Sequence, residues 1–124
     1  MNSLKSIISK LANSLKFSID GIIAVWSSEQ SFRMESYVAI FAILIAMIMP
    51  FSMIEKLLLI LLMLLLLVSE LINSAIEAIV DRISPEIHPL SKIAKDASSA
   101  AVAIVILMNV IAWIFAITNM ILFH

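Results

Sequence analysis

Leu57-Leu-Leu-Ile-Leu-Leu-Met-Leu-Leu-Leu-Leu-Val-Ser-Glu70-Leu-Ile-Asn73-Ser74-Ala-Ile-Glu77-Ala-Ile-Val80 decides how the rest of the chain is read. Its first half, Leu57 to Ser69, is uncharged and almost pure leucine. Alone it is too short, since a membrane-spanning helix needs about 20 apolar residues. It qualifies if it continues through Glu70 to about Val80, which places Glu70 and Glu77 inside or at the edge of a membrane. At about 100° per residue, Glu70, Asn73, Ser74, Glu77 and Asp81 fall within an arc of about 100° on one helix face. Charge in a spanning helix is costly and normally faces protein or water. Three acids on one stripe also repel one another. A divalent cation relieves both costs, and magnesium prefers carboxylates, water and phosphate oxygens. Ion pairing with Arg33, Arg82 or Lys95 is the competing explanation, strongest for Asp81.

Two further stretches flank this one. Ser36 to Ile54 carries no charge, and neither does Ala97 to His124 with a neutral histidine. The expected architecture is all-α: a surface helix over about 3–30 and spans over about 34–50, 54–80 and 94–121. Pro50 suits the end of the first span, where a missing amide hydrogen bond matters least. The chain has 124 residues, 63% of them hydrophobic and 14% charged, with a mean hydropathy of +1.14. A soluble domain of that size cannot hide so much apolar surface, so residues 1–124 read as one membrane domain. Cysteine is absent, which removes disulfide and thiolate chemistry. A net charge of -1 excludes a strongly basic nucleic-acid binder. With Gly21 the sole glycine, a phosphate loop of Walker type is excluded too. Any nucleotide must be held by side chains and metal.

Basic residues set the orientation. Lys5, Lys10, Lys16 and Arg33 precede the first span, and Arg82, Lys92 and Lys95 join the second to the third. The intervening link has only Lys56, beside Glu55, and the C-terminal tail has no lysine or arginine. The positive-inside rule puts the N-terminus and the 81–96 link in the cytoplasm and the C-terminus on the far side. Leu4, Ile7, Ile8, Leu11 and Leu15 recur at spacings of three and four, an amphipathic helix that reads as a surface anchor. No short apolar core with a small-residue cleavage site is present there, so residues 1–33 read as part of the mature protein.

The remaining polar residues gather on the same side. Glu86 and His88 lie between Pro85 and Pro89, which marks a loop; His88 alone reads as a solvated histidine. Lys95 and Asp96 open the third span, where a lysine among acids suits phosphate neutralisation or simply snorkels to the interface. Glu29, Arg33 and Glu35 form a third charged group before the first span, a plain cytosolic end cap on the bland reading.

Glu70-Leu-Ile-Asn-Ser-Ala-Ile-Glu77-Ala-Ile-Val-Asp81-Arg82 resembles the signature of the prokaryotic diacylglycerol kinases. So does Ala94-Lys95-Asp96 followed by Ser98-Ser99-Ala-Ala-Val102. Upstream, Ala24-Val25-Trp26-Ser27-Ser28-Glu29 with Phe32-Arg33-Met34-Glu35 is similar to the family's approach to its first span. The likeness extends from about Ser18 to Trp113. It implies a homotrimer of three-span subunits in the bacterial inner membrane, with a surface helix and active sites shared between neighbours. It implies ATP-dependent phosphorylation of 1,2-diacylglycerol to phosphatidic acid, with Mg²⁺. In that scheme Glu70 is the base for the lipid hydroxyl, and Glu29 and Glu77 hold the metal that bridges the nucleotide phosphates. Lys10, Phe17, Glu29, Asn73, Glu77, Glu86, His88, Lys95 and Asp96 contact the nucleotide. Lys10, Ile23, Ala24, Val25, Trp26, Ser31, Phe32, Arg33, Glu35, Glu70, Ser99 and Trp113 line the lipid site. The N-terminus and active sites face the cytoplasm, and the C-terminus faces the periplasm.

This sequence departs from the family at its N-terminal end. Lys10 stands where arginine is usual and loses the bidentate fork. Phe17 replaces a tyrosine and cannot donate. Asn13, Ser14 and Leu15 replace smaller residues, and Asp20 replaces a common basic one. The alternative is the related undecaprenol kinase branch, which the loop Ser84-Pro85-Glu86-Ile87-His88-Pro89-Leu90 resembles. Glu35, Arg82 and the Ser98–Val102 run favour the diacylglycerol branch. A channel or proton-relay subunit needs polar residues along a whole span, and the leucine half of the second span argues against one.

Overall fold

The computed structural model describes residues 1–83 and 85–123. Over them the chain forms four helices: α1 (Asn2–Ser28), α2 (Gln30–Ile48), α3 (Met53–Ile83) and α4 (Pro89–Phe123). The protein is all-α, and α2, α3 and α4 are each long and apolar enough to cross a membrane. Ser84, in the loop quoted above, and His124 lie outside the described residues.

A single residue separates α1 from α2. Glu29 is extended (φ -113°, ψ 109°), while its amide still donates to the Val25 carbonyl at 2.8 Å. Arg33 closes this corner. Its guanidinium donates to the carbonyls of Trp26 at 2.5 Å and Ser27 at 3.3 Å, near the end of α1 where carbonyls lack helical partners. Trp26 packs edge-on against Phe32 and Tyr37, with ring centroids 6.4 and 5.5 Å away.

At the other end, Pro50 stops α2. A residue before proline is pushed out of the α region, and Met49 is extended (φ -65°, ψ 149°). Ser52 Oγ accepts from the Glu55 amide at 3.2 Å and caps α3. Lys56 Nζ donates to the Met47 carbonyl at 3.0 Å and covers the end of α2. α4 starts at Pro89, a residue suited to a first helical position, and His88 Nδ1 accepts from the Leu90 amide at 3.1 Å. Lys95 and Asp96 therefore sit inside the first two turns of α4 and do not open it, a correction to the reading from hydropathy. Hydropathy registers where charge ends, whereas the cap and the proline decide where the helix begins.

Three polar stitches fix the antiparallel register of α3 and α4. Ser98 Oγ donates to Asn73 Oδ1 at 2.7 Å, Asn109 Nδ2 to the Leu62 carbonyl at 3.0 Å, and Asn119 Nδ2 to Glu55 Oε1 at 2.8 Å. Moving 11 residues forward on α4, from Ser98 to Asn109, moves 11 back on α3, from Asn73 to Leu62. The buried apolar residues form a thin line: Phe32, Ala39 and Ala46 on α2, Phe51 in the link after it, Leu59, Met63 and Leu66 on α3, Val102 and Ala116 on α4. Alanines at these contacts let helices approach closely, the usual device where lipid replaces water and the hydrophobic effect no longer drives packing. Most large apolar side chains point outward, including Leu4, Ile7, Ile8, Leu11 and Leu15 of α1. No residue of α1 is buried.

Candidate functional site

Glu70 is the one buried charged residue among those described, 6% exposed on α3. Packing α2 against α3 brings Glu35 within hydrogen-bonding reach of it. Glu35 Oε2 is buried and has no donor among the described residues. Sequence reading gave both residues to the lipid site but did not pair them.

One turn on, Asn73 Nδ2 donates to Glu77 Oε1 at 3.3 Å while its Oδ1 accepts from Ser98. Ser98 is 7% exposed. It orients the Asn73 amide, and so the face that Glu77 offers. Sequence reading overlooked that role, although Asn73 and Ser98 both stand in the quoted motifs.

Asp81 forms an ion pair with Lys95, one of the pairings weighed above. Lys92 Nζ meets Asp96 Oδ2 at 2.5 Å, one turn apart on α4. Arg33 serves the α1 carbonyls instead of the acidic stripe. Lys95 and Asp96, the expected nucleotide contacts, are thus both engaged within the chain. These pairs are more than a third exposed, and exposed pairs contribute at most about 1 kcal/mol, so a phosphate can displace them.

Two cavities flank Asp81. One, of about 720 Å³, lies between α1 and α3 and is walled by Glu29, Ser74, Glu77 and Asp81. The other, of about 510 Å³, lies at the α3–α4 link and is walled by Asp81, Glu86, His88, Lys95 and Asp96. Glu29, at the α1–α2 corner, and Glu77, on α3, line one groove. Among the described residues no three acidic or histidine side chains converge on a complete cation site. Two carboxylates leave most of an octahedral shell to water and phosphate oxygens, the way magnesium is ordinarily bound with nucleotides. The donors therefore fit a nucleotide-borne magnesium and do not form a freestanding protein cage.

The other expected residues scatter more widely. Val25 and Trp26 are half-buried at the α1–α2 corner, Phe32 is buried beside them, and Ile23, Ala24 and Ser31 are exposed. Ser99 is exposed on α4 beside buried Ser98. Trp113 packs edge-on against Phe51, 5.9 Å between centroids, and borders a cleft with Val38 and Asn109 deep in the apolar half. Lys10 and Phe17 are exposed on α1. At 1.5 Å per residue, Lys10 lies about 27 Å along α1 from that helix's end beside Glu29. Within one chain, Lys10 and the acids are not brought together.

Residues 16–117 match the model of the family described as prokaryotic diacylglycerol kinase. The chain is 41% identical over 97 residues to the proteins named "Diacylglycerol kinase" from Escherichia coli (strain K12) and from Shigella flexneri. The alignment covers 78% of this chain and 80% of each relative.

Proposed function

The chain belongs to the prokaryotic diacylglycerol kinase family, and from that premise we propose that it transfers the γ-phosphoryl group of ATP to the free hydroxyl of 1,2-diacylglycerol. The products are phosphatidic acid and ADP. The observation that carries this reading is the buried Glu70 carboxyl beside Glu35, on the helix face whose following turns, at Ser74, Glu77 and Asp81, wall the cavity shared with Glu29.

Phosphoryl transfer asks a protein mainly for alignment and charge neutralisation. Glu70 accepts the proton of the lipid hydroxyl as that oxygen bonds to phosphorus and the bond to the ADP oxygen breaks. Glu35 presents a second carboxyl to hold the hydroxyl in line. Glu29 and Glu77 would hold Mg²⁺, which when bound neutralises the phosphate oxygens. Asn73, fixed by Ser98, orients Glu77. Lys95 leaves Asp81 for phosphate, and Glu86, His88 and Asp96 enclose the nucleotide from the link. The α1–α2 corner from Ile23 to Glu35, with Ser99 and Trp113, accommodates the lipid.

The distance of Lys10 from Glu29 along its own helix supports a homotrimer in which α1 of one subunit completes a neighbour's site. The charge pattern supports cytoplasmic active sites and a C-terminus across the bacterial inner membrane. Purified protein in mixed micelles with labelled ATP tests the reading. Phosphatidic acid should form with diacylglycerol, and turnover should fall by about 10² or more in Glu70→Gln. Product from undecaprenol alone would move the chain to the alternative branch.

A further inference from the structure

At the end of the bundle away from the acids, α3 and α4 enclose a groove of about 670 Å³. Its walls are apolar, with Leu58 and Leu62 on one side and Met108 and Phe115 on the other. Its mouth is polar. Glu55 and Asn119 line it there, and Asn119 Nδ2 donates to Glu55 Oε1 at 2.8 Å.

The groove has the dimensions of one lipid leaflet. From Met108 to Asn119 it follows α4 for about 16 Å at 1.5 Å per residue. Half of a hydrocarbon core is about 15 Å. A chain lying in it would place its headgroup level with Glu55.

Charge decides the headgroup. Glu55 makes no ion pair among the described residues, and Asn119 engages only Oε1. Of the eight lysines and arginines, Lys56 is the one at this end, and its Nζ donates to the Met47 carbonyl. A second copy of the chain would bring to this end only that one lysine, already donating to Met47.

We propose that this groove binds a phospholipid whose headgroup ends in a primary ammonium. One acyl chain lies between α3 and α4, and the ammonium donates to Glu55. A quaternary ammonium has no N–H to donate, so the site separates ethanolamine from choline headgroups. The proposal rests on the membrane fold and is independent of the kinase reading.

Native mass spectrometry of the full-length chain, titrated with phosphatidylethanolamine or phosphatidylcholine of identical acyl chains, tests it. Wild type should retain the ethanolamine lipid about tenfold more tightly, the worth of one charge-assisted hydrogen bond. Glu55→Gln should erase the difference while leaving choline-lipid binding unchanged. Ala112→Trp, which fills the groove, should weaken both lipids. Equal affinities in wild type, or a preference that survives Glu55→Gln, would overturn the proposal. The chain has no cysteine, so Ile111→Cys reports the groove wall directly. Near-complete crosslinking of Ile111→Cys copies to one another in ethanolamine-lipid membranes would assign the groove to a second copy and also overturn it.

Discussion

The two ends of the α3–α4 pair use polar residues differently. Toward one end, α3 carries Glu70, Glu77 and Asp81, with Glu35 on α2 and Glu29 at the α1–α2 corner set against them, more acid than the nearby bases can neutralise. Toward the opposite end, the α3–α4 contacts are made by neutral amides, Asn109 and Asn119, each donating across the helix pair. Both kinds of residue are costly in a membrane, but they answer different demands. An amide joined to a neighbouring helix serves packing. A carboxyl buried against another carboxyl satisfies nothing in the fold, so its value must lie in chemistry. The comparison locates function by the excess of charge over structural need.

The largest expected effect lies at the buried acid. Glu70→Gln keeps the shape and can still hydrogen-bond Glu35, but it cannot take a proton. Turnover should fall by about 10² to 10⁴, the range for a lost general base. The assembled protein should keep its thermal midpoint and its nucleotide affinity. Wild-type turnover in this variant would remove the chemical reason for the acid-rich end.

The next effect concerns subunits. If Glu29 and Glu70 act in one site from different chains, Glu70→Gln and Glu29→Ala subunits assayed at limiting magnesium should rescue each other when co-assembled. Equal mixing should restore about a quarter of wild-type activity, because each site in a symmetric ring requires two correct choices. Mixtures that stay inactive although crosslinking shows co-assembly would confine the site to one chain. Alone, Glu29→Ala or Glu77→Ala should shift the magnesium titration to higher concentration. An unchanged titration removes that residue from the metal.

Much of this contrast is legible in the sequence. The leucine tract, the proline after the first span and the stripe from Glu70 to Asp81 follow from hydropathy and from the helical period. So does the choice of Lys95 as a possible partner for Asp81. The meeting of Glu35 with Glu70 does not follow, because periodicity assigns faces within a helix and says nothing of which faces meet. The Ser98–Asn73 bond is hidden for the same reason. The start of α4 was displaced because a histidine cap and a proline outweigh the apolar pattern. The distant Lys10 cannot be placed from one chain at all, since its partners would belong to another.

A smaller effect should follow at Asp81. Asp81→Asn frees Lys95 from its exposed pair, at a stability change under about 1 kcal/mol. The variant should bind ATP no more weakly than wild type, while Lys95→Met should raise the KM for ATP. A large loss of nucleotide affinity in Asp81→Asn would make the acid itself part of the nucleotide site.

The smallest effect is expected at Asn109, and it probes the neutral half. Asn109 is 6% exposed, and its Nδ2 donates both to the Leu62 carbonyl across the helix pair and to Val105 on its own helix. Its Oδ1 is buried with no donor among the described residues. Gain and loss therefore oppose one another. Interhelical bonds of this kind average about 0.6 kcal/mol in membrane proteins, while the stranded oxygen works against them. Asn109→Leu removes both terms at similar volume, so unfolding in a graded detergent series should shift by less than about 1 kcal/mol, with kinase activity intact. Asn109→Asp provides the contrast. It cannot donate to Leu62 when ionised, and it places a carboxylate at the apolar centre, where charge costs about 3 kcal/mol. A severe loss of activity in Asn109→Leu with the fold preserved would mean that the neutral half also serves the reaction, and the division between the two ends would fail.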